Sequence, residues 1–415
     1  MPASLPRTPL DDTSAVPPSA IAPLKHAAFR MLWCAWLTAN VCMWMNDVAI
    51  AWMMSSLTAS PVMVVLVQTA STLPVFLLGL PCGALADQVD RRRYLILTQC
   101  WVAAVALLLW LAILSGVRSP ALLLGLTFAN GIGLAMRWPV FAAIVPDLVP
   151  RAQLPAALAL NGVSMNASRI VGPLMAGALI ATAGTAWVFA LNAVLSTIAA
   201  LLIMRWRHAQ APVLAGQQRL SAAMLDGLRF AMRSAPLKAV LLRIFLFFFH
   251  STALLALLPL VARHFQDGGT GTFTVLLACM GGGTVLAALF LPRWRESMSR
   301  EMLALRSAMV LSAAMCGVAF STHVYFAAPI MFVAGMAWIA TANAMIVSVQ
   351  LALPDWVRAR GMAMYQMAIM GASAAGAALW GQVAALGGLK TSLVCAAVSG
   401  AAAMLLAHRL RAERT

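Results

Sequence analysis

The sequence contains few charged residues. Only 10% of its 415 residues are Asp, Glu, Lys or Arg, whereas about 25% of the residues in soluble globular domains are charged. Apolar residues make up 62% of the chain, and its mean hydropathy is +0.89. This shortage of charge beside so many apolar residues excludes a water-soluble protein of ordinary shape. We therefore expect a membrane protein.

The sequence also lacks the motifs of several chemical functions. It contains no G-x-x-x-x-G-K-[ST] signature, so we expect no ATP hydrolysis by this chain. Its seven cysteines form no C-x-x-C pair and have no histidine at ligand spacing, so we expect no metal site. Too few polar residues remain to assemble a Ser-His-Asp site, and we expect neither enzyme activity nor a cofactor. No apolar segment precedes residue 31, so a signal peptide is not expected either.

Acidic residues are scarcer than basic ones. The chain contains 12 Asp and Glu residues and 28 Lys and Arg residues, which gives a net charge of +16. Most of the basic residues lie between apolar runs, where positive charge sets membrane orientation rather than binding nucleic acid. With a cytoplasmic amino terminus, 21 of the 28 fall on the inner side, three in outer loops and four within spans. We therefore expect both termini in the cytoplasm and no nucleic-acid partner.

The apolar runs predict twelve transmembrane helices. A spanning helix needs about 20 apolar residues, and backbone in hydrocarbon must satisfy its own hydrogen bonds, which favours helices. The predicted spans are 31–56, 62–86, 94–114, 119–145, 155–182, 185–204, 237–262, 270–292, 302–320, 323–350, 358–386 and 388–408. The predicted fold class is therefore an all-α membrane protein.

The twelve predicted spans form two sets of six. These sets, 31–204 and 237–408, contain 174 and 172 residues. A Pro-Asp pair occurs at nearly the same position in each, ending at Asp147 and at Asp355. Such agreement indicates an internal duplication and predicts two pseudo-symmetric halves with a binding site between them.

Polar segments flank and join the predicted halves. Six of the 21 prolines lie within residues 2–23, and we expect residues 1–30 to form a disordered cytoplasmic tail. Residues 409–415 are expected to form a second tail. The linker 205–236 alternates apolar and charged residues in a helical pattern, which predicts an amphipathic helix lying on anionic membrane lipids.

Three inner loops carry recognisable motifs. The loop after the second span reads GALADQVDRRR over residues 83–93 and resembles the G-x-L-A-D-R-x-G-R-R signature of the major facilitator superfamily. The segments VPDLVPR at 145–151 and LPDWVR at 353–358 are similar to those of its enterobactin-exporter-like branch, the transmembrane secretion effectors. The resemblance covers about residues 25–408 and implies the major facilitator fold and a transport function.

The resemblance also implies an inner gate, in which Asp87 closes against the start of the eleventh span. A carboxylate at a helix N-terminus gains about 0.3–1 kcal/mol, and losing that contact on opening would bias a two-state equilibrium. The implied gate residues are Gly83, Asp87, Asp90, Arg91, Arg92, Asp147, Arg151, Asp355 and Arg358. Two departures from the signature occur, Gln88 for a basic residue and Asp90 for a glycine. The alternative is that these arginines only set membrane topology.

The fifth span reads GPLMAG from Gly172 to Gly177. It resembles the G-P-x-x-G-G pattern of drug–proton antiporters, which favours export. Pro173 removes a helix hydrogen bond, and the small residues permit close helix contact. Ordinary small-residue packing is the alternative interpretation.

Asp47 is the one acidic residue deep within a predicted span, about 15 Å from its outer end. Arg169 lies at a similar depth, roughly 20 Å from the outer end of its own span. An ionisable group inside the membrane usually faces a cavity or a partner. Three interpretations follow: a proton-coupling Asp47 controlled by Arg169, a fixed structural bridge between the two, or an Asp47 that is only hydrated.

Two other polar side chains within spans are candidate cavity residues. Arg137 in the fourth span either attracts a polar or anionic part of the substrate or extends to the inner interface. His250 in the seventh span titrates in the physiological range. It follows three phenylalanines, however, and a lone histidine in that setting is more often an ordinary core residue.

These observations predict a bacterial inner-membrane protein that exports a small amphiphilic molecule, siderophore-like or drug-like. Export would be driven by inward proton flow through alternating access, and we expect a monomer. A proton-coupled importer or facilitator of the same fold is one alternative. A membrane scaffold without transport activity is another.

Overall fold

The computed structural model describes residues 21–205, 234–265, 268–353 and 358–412. These residues form long α-helices and two short 3-10 helices, Ala22–Lys25 and Arg151–Gln153, and no strand occurs among them. The α-helices are α1 (Ala27–Leu57), α2 (Pro61–Gln88), α3 (Arg91–Leu114), α4 (Pro120–Leu148), α5 (Leu154–Thr182), α6 (Thr185–Arg205), α7 (Ala235–His264), α8 (Thr270–Ser297), α9 (Arg300–Phe320), α10 (Val324–Ala352) and α11 (Arg358–Ala412). The predicted all-α class is confirmed.

Ten helices of the described chain, α2 to α11, are long and apolar enough to cross a membrane. The apolar stretch of α11 contains 46 residues, about 69 Å of helix and thus twice the roughly 30 Å hydrocarbon core. The remaining helix, α1, is 31 residues long and includes Asn40, Asn46 and Asp47. If α1 crosses the membrane once and α11 crosses it twice, the described helices are consistent with the twelve predicted spans.

Gly388 divides α11 into a first arm, 358–387, and a second arm, 389–412. Its φ of 85° lies in the left-handed region, which disfavours residues with a Cβ atom. The Ser392 hydroxyl donates to the Trp380 carbonyl oxygen across 2.7 Å. Residues this far apart in sequence would lie about 18 Å apart along a straight helix. The chain therefore folds back at Gly388, and the two arms pack side by side.

The same pairing of helices recurs in the two sets of six spans. In the first set, α1 packs on α5, α2 on α4, and α3 on α6. In the second set, α7 packs on α11, α8 on α10, and α9 on α11. Contacts between the sets are made chiefly by α2 with α11 and by α5 with α8. A site between the halves therefore lies beside these four helices and α1.

The expectation of a disordered tail through residue 30 is wrong for residues 21–30. Pro23 is buried, and α1 begins at Ala27. The side chains of Leu24 and Phe29 pack in an apolar cluster with Phe141 of α4. These apolar contacts order the segment despite its proline. Residues 1–20, 206–233 and 413–415 lie outside the described residues, so the amphipathic linker helix and the ends of both tails stay predictions.

The helix ends define two faces of the bundle. One face carries the start of α1 and the basic start of α3, and we name it inner, following the prediction from charge. The opposite face, which carries the ends of α1 and α7, is named outer.

Replacing Gly388 by Ala should destabilise the protein. A Cβ atom at a φ of 85° and a ψ of 164° costs roughly 1–3 kcal/mol, so the variant is expected to melt at a lower temperature in detergent. Gly125→Ala is the matched control, because a Cβ at Gly125 meets no atom within 4 Å. Equal melting temperatures for the two variants would show that the turn at Gly388 carries no strain cost.

Candidate functional site

Three strongly polar side chains lie on α1, in the membrane-embedded part of the first half. Asn40 and Asn46 are fully buried, and Asp47 is half-buried. Gly172 allows α5 to lie against this helix, since a Cβ there would sit 3.0 Å from the Val41 carbonyl oxygen. The close contact between α1 and α5 places the polar groups of α1 next to those of α5.

Arg137 of α4 is held against α1. Its side chain is 4% exposed and donates to the Ala39 carbonyl oxygen at 3.2 Å and to Asn40 Oδ1 at 3.4 Å. The guanidinium also lies 5.3 Å from the centre of the Trp36 ring. These contacts hold Arg137 inside the first half, so the interpretation that it extends to the inner interface is wrong.

Asp47 faces the charge of Arg137 without pairing with it. The two groups interact electrostatically. Among the described side chains, however, none forms a hydrogen bond or an ion pair with the Asp47 carboxylate. A half-buried carboxylate near a cation, yet free of a direct partner, can accept a proton or a donor group of a ligand.

Arg169 of α5 has different neighbours from those expected. Its guanidinium lies 5.3 Å from the centre of the Trp44 ring, and it interacts electrostatically with Tyr365 in the first arm of α11. Arg169 Nε and Trp44 Nε1 are buried without a hydrogen-bond partner. Within the part of the chain that the structure describes, no ion pair joins Asp47 to Arg169, so the fixed bridge is not formed in this conformation.

A small cavity of about 20 Å³, enough for one water, lies inside the first half. Beside it, Asn192 Nδ2 of α6 donates to Asn46 Oδ1 at 3.4 Å, and Ser196 donates to Asn192 at 3.1 Å. Its lining residues are Ala39, Met43, Val102, Asn130, Leu134, Arg137 and Asn192. This amide network attaches α1 to α6, and Arg137 attaches α1 to α4.

His250 lies in the second half, apart from these groups. Its Nδ1 bonds to the Leu246 carbonyl oxygen at 2.7 Å, and its ring centre lies 5.7 Å from that of Trp380. The cavity beside it is lined by α7, α9 and the second arm of α11, not by α1 or α4. The structure therefore places His250 in the packing of the second half and does not bring it to Asp47.

The glycines of the GPLMAG segment have separate contacts. Gly172 faces α1, whereas a Cβ on Gly177 would collide with the side chain of Thr274 on α8. Gly177 therefore lies where α5 of the first half meets α8 of the second half. Pro173 is accommodated inside α5, which continues from Leu154 to Thr182.

Four side chains connect the two halves at the outer face, and we name them the outer latch. Arg263 Nε donates to Ser55 Oγ at 2.8 Å, and its guanidinium lies 4.3 Å from the centre of the Trp52 ring. The Trp52 ring stacks on Phe273 of α8 with centres 5.6 Å apart. The sequence places Arg263 in an outer loop, but it belongs to the last turn of α7. Its position after an apolar run suggests only topology, so this latch could not be found from the sequence.

Further contacts join α2 to the first arm of α11. The Thr69 hydroxyl donates to the Ala374 carbonyl oxygen at 3.0 Å. A Cβ on Gly381 would lie 2.9 Å from Val65 Cβ, and a Cβ on Gly371 would lie 2.8 Å from the Phe76 ring. Together with the outer latch, these contacts close the halves against each other at the outer face and at the middle of the bundle.

The described part of the predicted inner gate stabilises helix ends within the first half. Asp90 caps α3 by accepting from the Arg92 and Arg93 backbone N–H groups at 2.8 and 3.3 Å. The Arg92 guanidinium donates to the Met204 carbonyl oxygen at the end of α6. Gly83 and Arg91 are half-buried.

The rest of the gate lies outside the described residues. This applies to Asp355 and to the side chains of Asp87, Asp147, Arg151 and Arg358. A gate contact between the halves at the inner face therefore stays a prediction. The described residues also contain no group of three or more His, Cys, Asp or Glu that could hold a metal ion.

Comparison with known families decides what kind of protein carries this site. Residues 18–415 match the model of the transmembrane secretion effectors. The chain belongs to this family. It is therefore a multi-pass membrane transporter for a small molecule, and its family and fold are those of transporters rather than enzymes.

Curated relatives of this secretion effector include efflux proteins. It is 24% identical to the enterobactin exporter EntS of Escherichia coli O1:K1 / APEC, over 90% of this chain and 89% of that one. It is 29% identical to the multidrug efflux pump Tap of Mycolicibacterium fortuitum, over 71% and 74%. It is 23% identical to the staphyloferrin A transporter of Staphylococcus aureus, over 67% and 70%.

Solved structures confirm the fold of this secretion effector. It resembles a POT family transporter with a TM-score of 0.75 at 10% identity, over 94% of this chain and 97% of that one. It resembles the major facilitator superfamily transporter FucP in its outward conformation with a TM-score of 0.59 at 16% identity, over 92% and 97%. The expected major facilitator fold is thereby confirmed.

Adding a methyl group at Gly177 should separate the outer ends of the halves. Such overpacking costs about 1–3 kcal/mol, so Gly177→Ala should raise the ratio of outward-open to outward-closed molecules by about tenfold. The distance between spin labels at positions 119 and 322, in a background without the seven native cysteines, measures this opening. Gly162→Ala, in the same helix with no atom within 4 Å of the added methyl, should leave the distance unchanged. Equal distributions for both variants would show that Gly177 does not set the closure.

Removing the Arg263 side chain should open the same face. Arg263→Ala loses a hydrogen bond worth about 0.5–1.5 kcal/mol and a cation–π contact worth about 0.5–1 kcal/mol. The same spin-label pair should then report a larger outward-open fraction, with Arg263→Lys between the two. Arg118→Ala removes another outer arginine, which forms no hydrogen bond, ion pair or cation–π contact with the described residues, and should have no effect. A distance distribution like that of the wild type in Arg263→Ala would exclude the latch.

Proposed function

We propose that this transporter exports a small amphiphilic molecule from the cytoplasm by proton antiport with alternating access. The proposal places it in a bacterial inner membrane, with both termini in the cytoplasm and anionic lipids against the linker 205–236. It acts as a monomer. Two relatives that are efflux proteins, an enterobactin exporter and a multidrug efflux pump, support export and a siderophore-like or drug-like substrate.

The observation that carries this proposal is the state of Asp47. It is the one acidic residue deep in a predicted span, it is half-buried, and no described side chain pairs with it. A carboxylate in such a place is costly unless protonated or bound. Arg137 supplies the opposing charge and is itself fixed by Ala39 and Asn40. Asp47 is therefore the group that exchanges a proton during transport.

Proton and substrate exclude each other at this carboxylate. Ionised Asp47 is an acceptor for a hydroxyl or amide donor of the substrate, and protonation removes that acceptor capacity. In the inward-facing state the substrate binds to ionised Asp47. In the outward-facing state a proton takes its place and the substrate leaves. The proton then returns to the cytoplasm as the cavity changes sides, so inward proton flow drives export.

Two sets of contacts alternate in this mechanism. The outer latch and the Gly177–Thr274 contact close the outer face while the cavity is open to the cytoplasm. The inner gate, built around Asp87, Asp147 and Arg358, closes the cytoplasmic face in the other state. The outer face and the inner face are closed in different states. Substrate and proton shift the population between these two states because each binds them with different affinity.

Metabolite profiling of cells and spent medium tests the export proposal. A deletion strain carrying Asp47→Asn should retain a compound that the strain carrying the wild type releases, because the amide cannot take up the driving proton. Proton-dependent accumulation of that compound in inverted vesicles should be present with the wild type and absent with Asp47→Asn.

The matched control is Glu296→Gln, which neutralises an exposed carboxylate at the inner end of α8. This variant should export as the wild type does at equal membrane abundance. A compound accumulated inside wild-type cells would indicate import instead. Identical profiles for the wild type and Asp47→Asn would contradict a coupling role for Asp47.

A further inference from the structure

A second group of polar side chains lies on the seam between the halves, and the function proposed for Asp47 does not use it. This group consists of Trp44 of α1, Arg169 of α5 and Tyr365 of the first arm of α11, and we name it the donor cluster. The guanidinium of Arg169 lies 5.3 Å from the centre of the Trp44 ring, and its charge reaches Tyr365. Tyr365 is 7% exposed. Both halves of the protein thus contribute to one small region.

The free polar groups of Arg169 and Trp44 are donors. Arg169 Nε and Trp44 Nε1 are buried and have no hydrogen-bond partner among the described residues. The Tyr365 hydroxyl can donate or accept, and it forms no hydrogen bond with the described residues. An arginine side chain and an indole have no acceptor to offer each other. Buried donors left unpaired cost free energy, about 1–3 kcal/mol each. A ligand that supplies acceptor oxygens removes that cost.

The charge of the cluster selects the kind of acceptor. Arg169 is permanently cationic, and none of the described carboxylates forms an ion pair with it. The contrast with Arg137 is clear, because Arg137 donates to Ala39 and Asn40 and stays attached to α1. An oxyanion paired with a guanidinium makes stronger hydrogen bonds than a neutral acceptor does. The indole of Trp44 adds a flat apolar surface next to that charge.

We infer that the donor cluster of Trp44, Arg169 and Tyr365 binds a carboxylate or phenolate oxygen on an aromatic part of the transported molecule. The inference rests on the proposed transport function and adds the substrate class and three specificity-determining residues. Trp44 lies one helical turn before Asp47, about 4.5 Å along α1. One substrate can therefore place its oxyanion at Arg169 and a donor group at Asp47.

Two xanthene dyes test this inference, because they share a ring system and differ in charge. Fluorescein is anionic with carboxylate and phenolate oxygens, and rhodamine 123 is cationic. Fluorescence polarisation measures the binding of each to the full-length purified protein in lipid nanodiscs, with empty nanodiscs subtracted. The wild type should bind fluorescein more tightly than rhodamine 123.

Arg169→Gln should weaken fluorescein binding by about tenfold to a hundredfold, which is the range for losing a charged hydrogen bond. It should leave rhodamine 123 binding unchanged or tighter. Arg169→Lys should recover part of the loss, which a merely misfolded variant would not do. Trp44→Phe and Tyr365→Phe should each weaken fluorescein binding by about two- to tenfold. Arg306→Gln, which removes an exposed arginine of α9, is the control for net charge.

The outcomes separate this inference from the proposed function. Fluorescein that fails to bind the wild type, or binds Arg169→Gln equally well, would overturn the inference. Binding that depends on Arg169, together with no proton-driven dye movement in proteoliposomes, would support the donor cluster and contradict proton antiport. Binding and proton-driven movement that both depend on Arg169 would support the two together.

Discussion

A charge inside a bilayer has to be stabilised by protein groups, because no bulk water is available there. In this transporter α1 provides that stabilisation for the first half. Arg137 donates to the Ala39 carbonyl oxygen and the Asn40 amide of α1 and lies against the Trp36 ring. Asn192 donates to the Asn46 amide of α1, and Asp47 faces Arg137. The bundle around α1 is arranged so that one helix holds the carboxylate and its neighbouring helices hold the opposing charges. Any movement of α1 relative to α4 changes what Asp47 faces.

Close contact between the halves depends on small residues and on aromatic rings. Glycines on α5 and α11 let backbones approach across the seam, where a single methyl group would collide. The outer latch contains a guanidinium, a hydroxyl and two aromatic rings but no carboxylate among its four members. Cation–π and stacking contacts are individually modest. A closure of this kind can be released without separating a buried ion pair, which suits a face that opens in every transport cycle.

Hydropathy was sufficient to predict the helices of this protein, since spans need long apolar runs and the bilayer leaves the backbone little choice. The break between the predicted spans ending at 386 and starting at 388 locates the turn at Gly388 to within one residue. The depth of a residue in the membrane could not predict which side chains it contacts. Asp47 and Arg169 are at similar depths, yet helix rotation directs Arg169 towards Trp44 and Tyr365. The prolines of residues 2–23 suggest disorder, whereas Leu24 and Phe29 supply tertiary contacts that order residues 21–30.

The groups that the substrate contacts determine whether substrate and proton are transported together or in opposite directions. An oxyanion at Arg169 alone and a proton on Asp47 would favour each other, since each brings opposite charge to the same region, and they would be transported together. A substrate that also donates to Asp47 requires the ionised carboxylate and therefore competes with the proton. Antiport thus demands a molecule with an oxyanion and a donor group within about one helical turn of each other.

Difference infrared spectroscopy of the purified transporter tests the central claim most directly, namely that Asp47 itself gains and loses a proton. Spectra recorded across a pH titration report the carbonyl stretch of protonated carboxyl groups. The account predicts a band that titrates in the wild type and is missing in Asp47→Asn, while Glu296→Gln keeps it. Identical carboxyl bands in the wild type and in Asp47→Asn at every pH would contradict the account.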